Sequence, residues 1–270
     1  MLSAKERLEK RLEALNHVAK KSLGQNFLIS DHVIDKIIQS TIKISPQSVI
    51  EIGPGLGALT DILIRGDFKY QAIELDKSIF EYWKQQNIEI INEDALKIDW
   101  KNIQADTLVS NLPYQISSSI VIERSINPNM IRHMVLMFQK EVAQRIRARE
   151  KTEEYGMLSV IAQEFWNIET VCEAGPKDFS PAPKVASRVL KFSAKQSEIE
   201  NRPNYLKFVK MCFQQRRRIL KSNVSSNYFE AVMQWVSENK LSEKVRAEEL
   251  SPEQFKKMYL FSKNNEKIKS

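Results

Sequence analysis

The chain has 270 residues, of which 42% are hydrophobic and 28% are charged, a composition that excludes a chain disordered throughout and is typical of a soluble globular protein. No window holds about 18 uncharged apolar residues, so we expect no membrane span, and two cysteines with three scattered histidines predict neither a disulfide framework nor a metal site. The formal net charge of +7 favours an acidic partner, and the low cysteine content favours the reducing cytoplasm.

The predicted elements begin with a charged amphipathic helix over 4–19, followed by a second helix that Asp31 caps and that ends near Ser40. Short apolar runs then alternate with segments of helical spacing, a pattern typical of a doubly wound, mostly parallel sheet with helices on both faces. Seven strands are predicted, at 48–52, 70–75, 88–92, 106–110, 133–138, 168–174 and 187–193. Helices are predicted between them, at 58–66, 77–86, 117–126 and 139–150.

Strand signals stop near residue 200, and only helical spacing follows. The sequence therefore predicts a charged extension over 1–20, an α/β domain over 21–195 and a small all-helical domain over 196–270. The last 70 residues carry 15 basic and 7 acidic side chains, whereas the first 200 carry 26 and 27. This asymmetry favours a polyanionic partner for the helical domain; the alternative is a solvated lysine-rich surface.

The ends of the first three strands carry residues suited to a ligand, which in an open parallel sheet binds beyond the carboxyl ends of the strands. Three of only seven glycines, Gly53, Gly55 and Gly57, follow the first strand and allow a ligand to approach the backbone. Glu74 follows the second strand, at the offset where an acid accepts hydrogen bonds from a ribose, and Asp94 follows the third. The alternatives are a tight turn or a nicotinamide site for the glycine loop, a solvated strand end for Glu74 and a helix N-cap for Asp94. Together these positions favour an adenosine-bearing ligand without requiring a phosphate.

The turn Asn111-Leu112-Pro113-Tyr114 directly after the fourth strand is the most specific feature. Pro113 fixes the backbone there, so that backbone carbonyls and the Asn111 carboxamide can point at one place. An amide oxygen and a backbone carbonyl, such as that of Leu112, can accept both N–H groups of an adenine amino group. Tyr114 offers a flat face on which a base can stack. The alternative is an ordinary turn with a packed tyrosine.

These features and two further motifs occur in the order found in the ribosomal RNA adenine N6-dimethyltransferases, which the chain resembles over about residues 20–225. The motifs are QNFL at 25–28, EIGPGLG at 51–57, ELD at 74–76, DA at 94–95, NLPY at 111–114 and FSPAPKV at 179–185. Within the family the chain looks most like the small-subunit (16S) branch, because of Leu112 and the segment QRRRILKSN at 215–223. It departs from the family at Ser110, where glycine is usual, and we expect only a small change in local backbone freedom there.

The resemblance implies a class I, Rossmann-like methyltransferase fold with S-adenosylmethionine as the methyl donor. It also implies the acceptor, which is N6 of two adjacent adenines in the 3′-terminal hairpin loop of small-subunit rRNA. The expected partner is that RNA in an immature 30S-type particle, and the enzyme is expected to be a monomer. By family position, the donor contacts fall on Asn26, Leu28, Gly53, Glu74, Asp94 and Asn111. The catalytic group is implied at Asn111, Leu112, Pro113 and Tyr114, with Phe179 clamping the second face of the base.

Two basic clusters are candidates for RNA phosphates. They are Arg145, Arg147 and Arg149 on the predicted basic helix, and Arg216, Arg217 and Arg218 with Lys221 in the helical domain. The alternative for both clusters is a solvated helix surface. For the second cluster, the arginines could also pack between the two domains or pair with acidic side chains. Two other functions stay open from the residues alone: a non-catalytic RNA-binding or assembly factor, and a DNA adenine methyltransferase with a similar Asn-Pro-Pro-Tyr turn.

Overall fold

A computed structural model describes residues 2–127 and 129–268. The chain divides into two compact units. The first unit comprises Met1–Arg124, Pro128–Ala143 and Ile168–Ala194, and the second comprises Ser125–Asn127, Gln144–Asn167 and Lys195–Ser270.

The strands of the described residues form one large sheet and one small sheet. In chain order they are β1 (Phe27–Leu28), β2 (Ser48–Ile52), β3 (Lys69–Ile73), β4 (Ile90–Ile91), β5 (Thr107–Asn111), β6 (His133–Gln139), β7 (Trp166–Ala174), β8 (Phe179–Ser180) and β9 (Ser187–Ala194). The large sheet has the order β4-β3-β2-β5-β6-β9-β7, and β1 pairs with β8 in the small one. Neighbouring strands from β4 to β6 are parallel, and β9 runs antiparallel to β6. The predicted doubly wound, mostly parallel seven-stranded sheet is confirmed.

Strand β2 lies in the interior of this sheet, between β3 and β5, and it carries apolar side chains on both faces. Val49 and Ile50 point to opposite faces, and both are completely buried. Its parallel neighbours are β3 and β5, so the carboxyl ends of these three strands lie at the same edge of the sheet. Gly53, Glu74 and Asn111, which come from separate parts of the sequence, are therefore brought to one edge.

The helices differ from the sequence predictions mainly at their ends. They are α1 (Ala4–Ala14), α2 (Asp31–Ile42), α3 (Thr60–Leu63), α4 (Lys77–Gln85), α5 (Ser117–Ile126), α6 (Lys140–Arg147), α7 (Met157–Phe165), α8 (Arg202–Cys212), α9 (Ser226–Glu238) and α10 (Pro252–Ile268). The helix predicted over 58–66 is only α3, because hydrogen bonds from Arg65 to Ile62 and from Gly66 to Leu63 tighten its end into 3₁₀ turns. The Asp31 cap was wrong: Ser30 is the capping position, and the Asp31 carboxylate instead accepts a hydrogen bond from the Ala4 amide at 3.0 Å.

The second unit is helical and includes α7, which the sequence analysis missed. Helix α7 packs against α8 and α10, and the Phe165 ring meets the Tyr205 ring edge-on at 6.1 Å. The Tyr155 hydroxyl, also buried, donates a hydrogen bond to the Leu250 carbonyl at 2.7 Å. Residues 144–167, which lie within the predicted 21–195 domain, thus form one compact unit with the C-terminal helices.

No helix in the described part of the chain is long and apolar enough to cross a membrane.

Candidate active site

A cavity of about 290 Å³ opens at the carboxyl ends of β2, β3 and β5. Its walls are the glycine loop after β2, the ends of β3 and β4, the turn after β5, the segment 22–28 and one face of α1. All of these belong to the first compact unit. The structure therefore brings together the motifs at 25–28, 51–57, 74–76, 94–95 and 111–114.

The glycine loop leaves one side of its backbone open to the cavity. Gly53 has a φ of +66°, a conformation that L side chains rarely adopt, and its amide donates to the Ile73 carbonyl at 2.8 Å. No atom of the described residues lies within 4 Å of the place where a β-carbon on Gly53 would lie. This open space gives a ligand direct access to the loop backbone.

Glu74 joins the end of β3 to the glycine loop. Its carboxylate accepts hydrogen bonds from the Asp76 amide at 2.8 Å and from the Gly55 amide at 3.3 Å. The residue is only 7% exposed, and burial raises the pKa of its carboxyl to about 7. Two backbone hydrogen bonds leave lone pairs on both oxygens, so the carboxylate can still accept hydrogen bonds from a ligand. Its contact with a ribose stays a prediction.

A second buried carboxyl, Glu51, lies beneath the loop. It accepts hydrogen bonds from the Tyr70 hydroxyl at 2.5 Å and the Thr60 hydroxyl at 2.8 Å. Burial raises its pKa to about 7 as well. No role for Glu51 follows from the motifs, although an acidic residue inside the apolar run of β2 indicates that it has polar partners.

The two raised pKa values predict that the protein becomes less stable as the pH rises. The ordinary pKa of a glutamate is 4.5, so between about pH 4.5 and pH 7 these two carboxyls hold more protons in the folded state than in the unfolded state. The free energy of unfolding therefore falls as the pH increases. Each carboxyl lowers the free energy of unfolding over this pH range by roughly 3 kcal/mol or less. Replacing Glu51 with glutamine should flatten the decline when urea unfolding is measured from pH 5 to pH 8. An equally steep decline in the variant would contradict this role.

Asn111 is held by the segment before β1, and this contact fixes the direction of its amide group. Its Nδ2 donates a hydrogen bond to the Asn26 carbonyl at 3.1 Å. Because a carbonyl oxygen can only accept, the amide nitrogen must face Asn26, and the amide oxygen is turned away as an acceptor. The Asn26 side chain in turn donates to the Gly24 carbonyl at 3.2 Å. The 25–28 and 111–114 motifs are thus parts of one structure.

The rest of the turn positions an aromatic ring at the cavity wall. The Tyr114 hydroxyl shares a hydrogen bond of 2.8 Å with the buried Ser187 hydroxyl, and partial burial raises the pKa of the phenol. The side chain of Leu112 is buried, whereas the Pro113 carbonyl accepts a hydrogen bond from the Ile116 amide at 3.1 Å. The tyrosine is therefore anchored at its hydroxyl end and lines the cavity with the remainder of the ring.

Ser110, the position at which the sequence departs from the motif it resembles, has a hydrogen-bond partner for its hydroxyl. The side chain is completely buried, and its Oγ donates a hydrogen bond of 2.5 Å to the Ile52 carbonyl. The bond joins the last residue of β2 to the residue before Asn111. The serine is therefore accommodated without an unpaired buried polar group.

Two other residues predicted to contact the methyl donor, Asp94 and Leu28, line the cavity, and other parts of the protein contact both of them. One oxygen of the half-buried Asp94 carboxylate accepts a hydrogen bond from the Leu96 amide at 2.9 Å. This bond closes a turn, and no helix of the described residues begins there, so the helix N-cap alternative is not seen. The second oxygen remains available for a ligand. Leu28 lines the cavity, but it is almost wholly buried.

Phe179 is the predicted site residue that the structure does not bring to the cavity. It is 3% exposed and packs in the hydrophobic core with Leu28, Val189 and other apolar residues. The described residues that line the cavity do not include it. Its role as a clamp on the second face of a base stays a prediction, and in this arrangement its side chain is buried in the core.

Comparison with known proteins decides the family. A model of the family described as "Ribosomal RNA adenine dimethylase" matches residues 16–264. The chain belongs to this family. Among its relatives, Ribosomal RNA small subunit methyltransferase A of Bdellovibrio bacteriovorus is 51% identical over 268 residues, covering 96% of this chain and 98% of the relative. The protein of the same name from Mycoplasmopsis pulmonis is 35% identical and covers 90% and 98%.

Solved structures agree with this family membership. A dimethyladenosine transferase from Plasmodium falciparum matches with a TM-score of 0.74 and 27% identity, covering 88% of this chain and 98% of the other. The 23S rRNA methyltransferase ErmE matches with a TM-score of 0.65 at 23% identity, which shows the shared fold. The predicted family and enzyme class, an S-adenosylmethionine-dependent rRNA adenine dimethyltransferase, are therefore confirmed.

The cavity residues of this adenine dimethylase fit S-adenosylmethionine, the methyl donor of the family. The open face at Gly53 admits a ligand against the backbone, and the Glu74 carboxylate lies beside it with free lone pairs. Within residues 2–127 and 129–268, no group of three or more histidine, cysteine, aspartate or glutamate side chains is placed to hold a metal ion.

The basic residues predicted to bind RNA lie in the second unit, and the structure separates them into two kinds. Arg216 donates to the Glu248 carboxylate at 2.9 Å and to the backbone carbonyls of Thr152 and Glu153. These bonds tie Arg216 to Glu248 and to the segment after α6, and its phosphate contact stays a prediction. Lys221 lies 3.3 Å from Glu243 in an exposed ion pair. The exposed arginines of the two clusters are Arg145, Arg147, Arg149, Arg217 and Arg218.

Proposed function

We propose that this enzyme transfers methyl groups to N6 of two adjacent adenines in the 3′-terminal hairpin loop of small-subunit rRNA, within an immature 30S-type particle. Its relatives named as small-subunit methyltransferases support the choice of subunit. We further propose that it acts in the cytoplasm as a monomer. Its methyltransferase domain spans about 21–195 without the 144–167 segment, and the basic helical unit binds RNA.

The observation that carries the chemistry is the fixed orientation of the Asn111 amide. Adenine N6 is a weak nucleophile because its lone pair is conjugated with the ring. Hydrogen bonds from N6–H to the Asn111 oxygen and to the Leu112 carbonyl favour a more tetrahedral nitrogen, whose lone pair is free to react. S-adenosylmethionine supplies an electrophilic methyl group on a sulfonium. Because the Asn26 carbonyl holds the amide, the acceptor is oriented before the base arrives.

The remaining residues bind and orient the reactants. Tyr114 stacks on the adenine, which must leave its own stack to enter the cavity and does so most easily from a loop. Glu74 binds the ribose of the donor and Asp94 its adenine amino group, while Gly53 lets the donor lie against the backbone. No side chain needs to act as a general base, because the methylated nitrogen is cationic and releases its proton to water after transfer.

A methyl-transfer assay on three acceptors tests this proposal. The acceptors are immature small ribosomal subunits, large-subunit rRNA and an adenine-containing DNA duplex, each with radiolabelled S-adenosylmethionine. We expect two methyl groups on each of two adenines in the small subunits and background incorporation in the other two acceptors. Preferred labelling of large-subunit rRNA or of the duplex would replace the proposed substrate.

The structure predicts which arginines of the second cluster contact RNA phosphates. Replacing Arg217 and Arg218 together with glutamine should weaken binding to small-subunit RNA and reduce the slope of log K against log salt by about 1.4, or about 0.7 per phosphate contact on a single strand. The matched control is Arg216→Gln, which should lower the melting temperature and leave that slope unchanged, because Arg216 bonds to Glu248. A slope unaffected by the double substitution would exclude both residues as phosphate contacts.

A further inference from the structure

The N-terminal helix α1 has defined ends. Ser3 and Glu6 form a capping box at its start. At its end, the amides of Asn16 and His17 donate to the Glu13 and Leu12 carbonyls, and Asn16 has a φ of +45°. This is a Schellman motif. Both ends are thus specified locally, and α1 is a fixed element that can position side chains.

Arg11 extends from α1 to the glycine loop. Its Nη1 donates to the Leu56 carbonyl at 2.7 Å and to one oxygen of the Asp61 carboxylate at 2.9 Å, and its Nη2 donates to the other oxygen at 2.6 Å. Asp61 lies at the start of α3, directly after the loop. The guanidinium therefore joins a loop carbonyl to the helix that the loop leads into, with the paired geometry that only arginine provides.

The neighbouring loop carbonyl is held by Trp83, which packs against the same guanidinium. The indole Nε1 donates to the Gly55 carbonyl at 2.8 Å, and the Arg11 guanidinium lies 5.2 Å from the Trp83 ring centroid and 5.7 Å from that of Tyr82. Two consecutive carbonyls of the loop, those of Gly55 and Leu56, are thus fixed by two side chains in contact with each other.

Gly57 shows that the loop is shaped around Arg11. A β-carbon at Gly57 would lie 2.0 Å from the Arg11 Nη1 atom, so any side chain there would displace the guanidinium. The third glycine of the motif thus leaves room for an arginine of α1. Ala4, Arg7 and Leu8 of the same helix line the cavity itself.

The chain after α1 is tied to the site at a second carboxylate. This carboxylate belongs to Asp76, the last residue of the ELD motif. Its buried side chain accepts hydrogen bonds from Lys20 Nζ at 2.8 Å and from Gln25 Nε2 at 2.9 Å. Arg7 adds to the first anchor, with its Nε 3.1 Å from Asp61. The segment from α1 to the 25–28 motif is therefore fixed at both ends against the loops that form the cavity.

We propose that α1 is part of the methyl-donor site and that Arg11 is a positioning residue, which holds the glycine loop in the conformation that accepts S-adenosylmethionine. The inference rests on the proposed donor site and adds α1, Ala4–Ala14, to it. Arg11 acts by preorganisation: when the competent loop is populated only in part, the apparent Kd rises as the inverse of that fraction. Arg11 is a positioning residue because its bonds go to the loop and to Asp61.

Calorimetry with S-adenosylmethionine on the full chain tests the inference through Arg11→Gln, Arg11→Lys and the control Lys10→Gln. Lys10 is exposed on the same helix and carries the same charge. We expect Arg11→Gln to raise the donor Kd at least about tenfold and the donor KM alike, with kcat at saturating donor close to that of the wild type. Arg11→Lys should recover part of the affinity, and Lys10→Gln should bind the donor normally. An unchanged Kd in Arg11→Gln, with or without a lower melting temperature, would overturn the inference.

Hydrogen exchange of the wild-type chain supplies a second readout that needs no variant. Addition of S-adenosylmethionine should slow amide exchange in residues 4–14. These residues lie outside the loops that carry the donor contacts of the proposed function. Unchanged exchange in 4–14, together with protection of the glycine loop, would limit the donor site to the loops and overturn the inference. A wild-type chain that does not bind S-adenosylmethionine would instead contradict the proposed function itself.

Discussion

Asn111→Ala is expected to lower kcat by roughly 10²- to 10³-fold, the effect of removing one preorganised polar contact of about 2.7–4 kcal/mol. The amide oxygen is the acceptor that orients adenine N6, and alanine has none. RNA binding should persist, because the basic residues lie elsewhere in the chain. Single-turnover methyl transfer to immature small subunits, with binding measured in parallel, tests this expectation.

Asn111→Asp sharpens the test because it keeps the size of the side chain. In the wild type the Asn26 carbonyl accepts a hydrogen bond from the Asn111 amide at 3.1 Å. In the variant a carboxylate oxygen faces that carbonyl instead. Two acceptors repel each other there, so the group rotates away and activity is lost although an acceptor oxygen remains. The control is Asn102→Ala, an exposed asparagine that does not line the cavity. Wild-type turnover in Asn111→Ala would remove Asn111 from the mechanism.

Glu74→Ala is expected to weaken donor binding by about 10- to 100-fold for each ribose hydrogen bond lost, because hydrogen bonds to charged groups are the strong ones. Binding of RNA should change little. Calorimetry with S-adenosylmethionine measures the effect, and Glu81→Ala, an exposed acid on α4, is the matched control. A donor Kd equal to that of the wild type would show that the ribose binds elsewhere.

The raised pKa of Glu74 adds a pH dependence to this prediction. Ribose hydroxyls donate to the ionised carboxylate, so donor binding at low pH must first remove the proton from Glu74. With a pKa of about 7 in the free protein, the donor affinity should rise between pH 6 and pH 8. Glu74→Gln should lose that pH dependence as well as affinity, whereas Glu81→Ala should retain it.

The sheet could be predicted because its strands are short apolar runs that each carry their own signal. Val49, Ile50 and Ile52 in β2 are apolar on both faces, and only a central parallel strand buries such a run. Since parallel strands end at one edge, the position of Gly53, Glu74 and Asn111 followed from the strand assignment. The residues of this edge are local in sequence to a strand end, which is why the motif analysis found them.

The contacts that complete the site join parts of the chain that are distant in sequence, and no local pattern records them. Asn26 and Asn111 are 85 residues apart, and Arg11 lies 50 residues before Asp61. Trp83 looks like an ordinary apolar residue of α4 until its indole is seen to hold the glycine loop. Local patterns in the sequence therefore indicate the motifs of the active site but not the side chains that hold them in place.

The places where the structure departs from, or adds to, the sequence predictions have the same cause. Helix α7 follows an irregular segment, and Tyr155, just before its N-cap, has its partner 95 residues away at the Leu250 carbonyl. The three arginines at 216–218 are identical in sequence terms, so the sequence predicts a phosphate contact for each of them. Only the fold shows that Glu248 takes the first of them, while the other two are exposed.

The central claim is that the cavity at the ends of β2, β3 and β5 dimethylates two adjacent adenines of small-subunit rRNA. The most direct test is mass spectrometry of nuclease-digested rRNA from immature small subunits, after incubation with S-adenosylmethionine and either the wild-type chain or Asn111→Ala. We predict two adjacent N6,N6-dimethyladenosines in the 3′-terminal hairpin loop with the wild type, and unmodified adenines at those positions with the variant. Wild-type methylation at other nucleotides, or dimethylated adenines produced by Asn111→Ala at the wild-type rate, would contradict the claim.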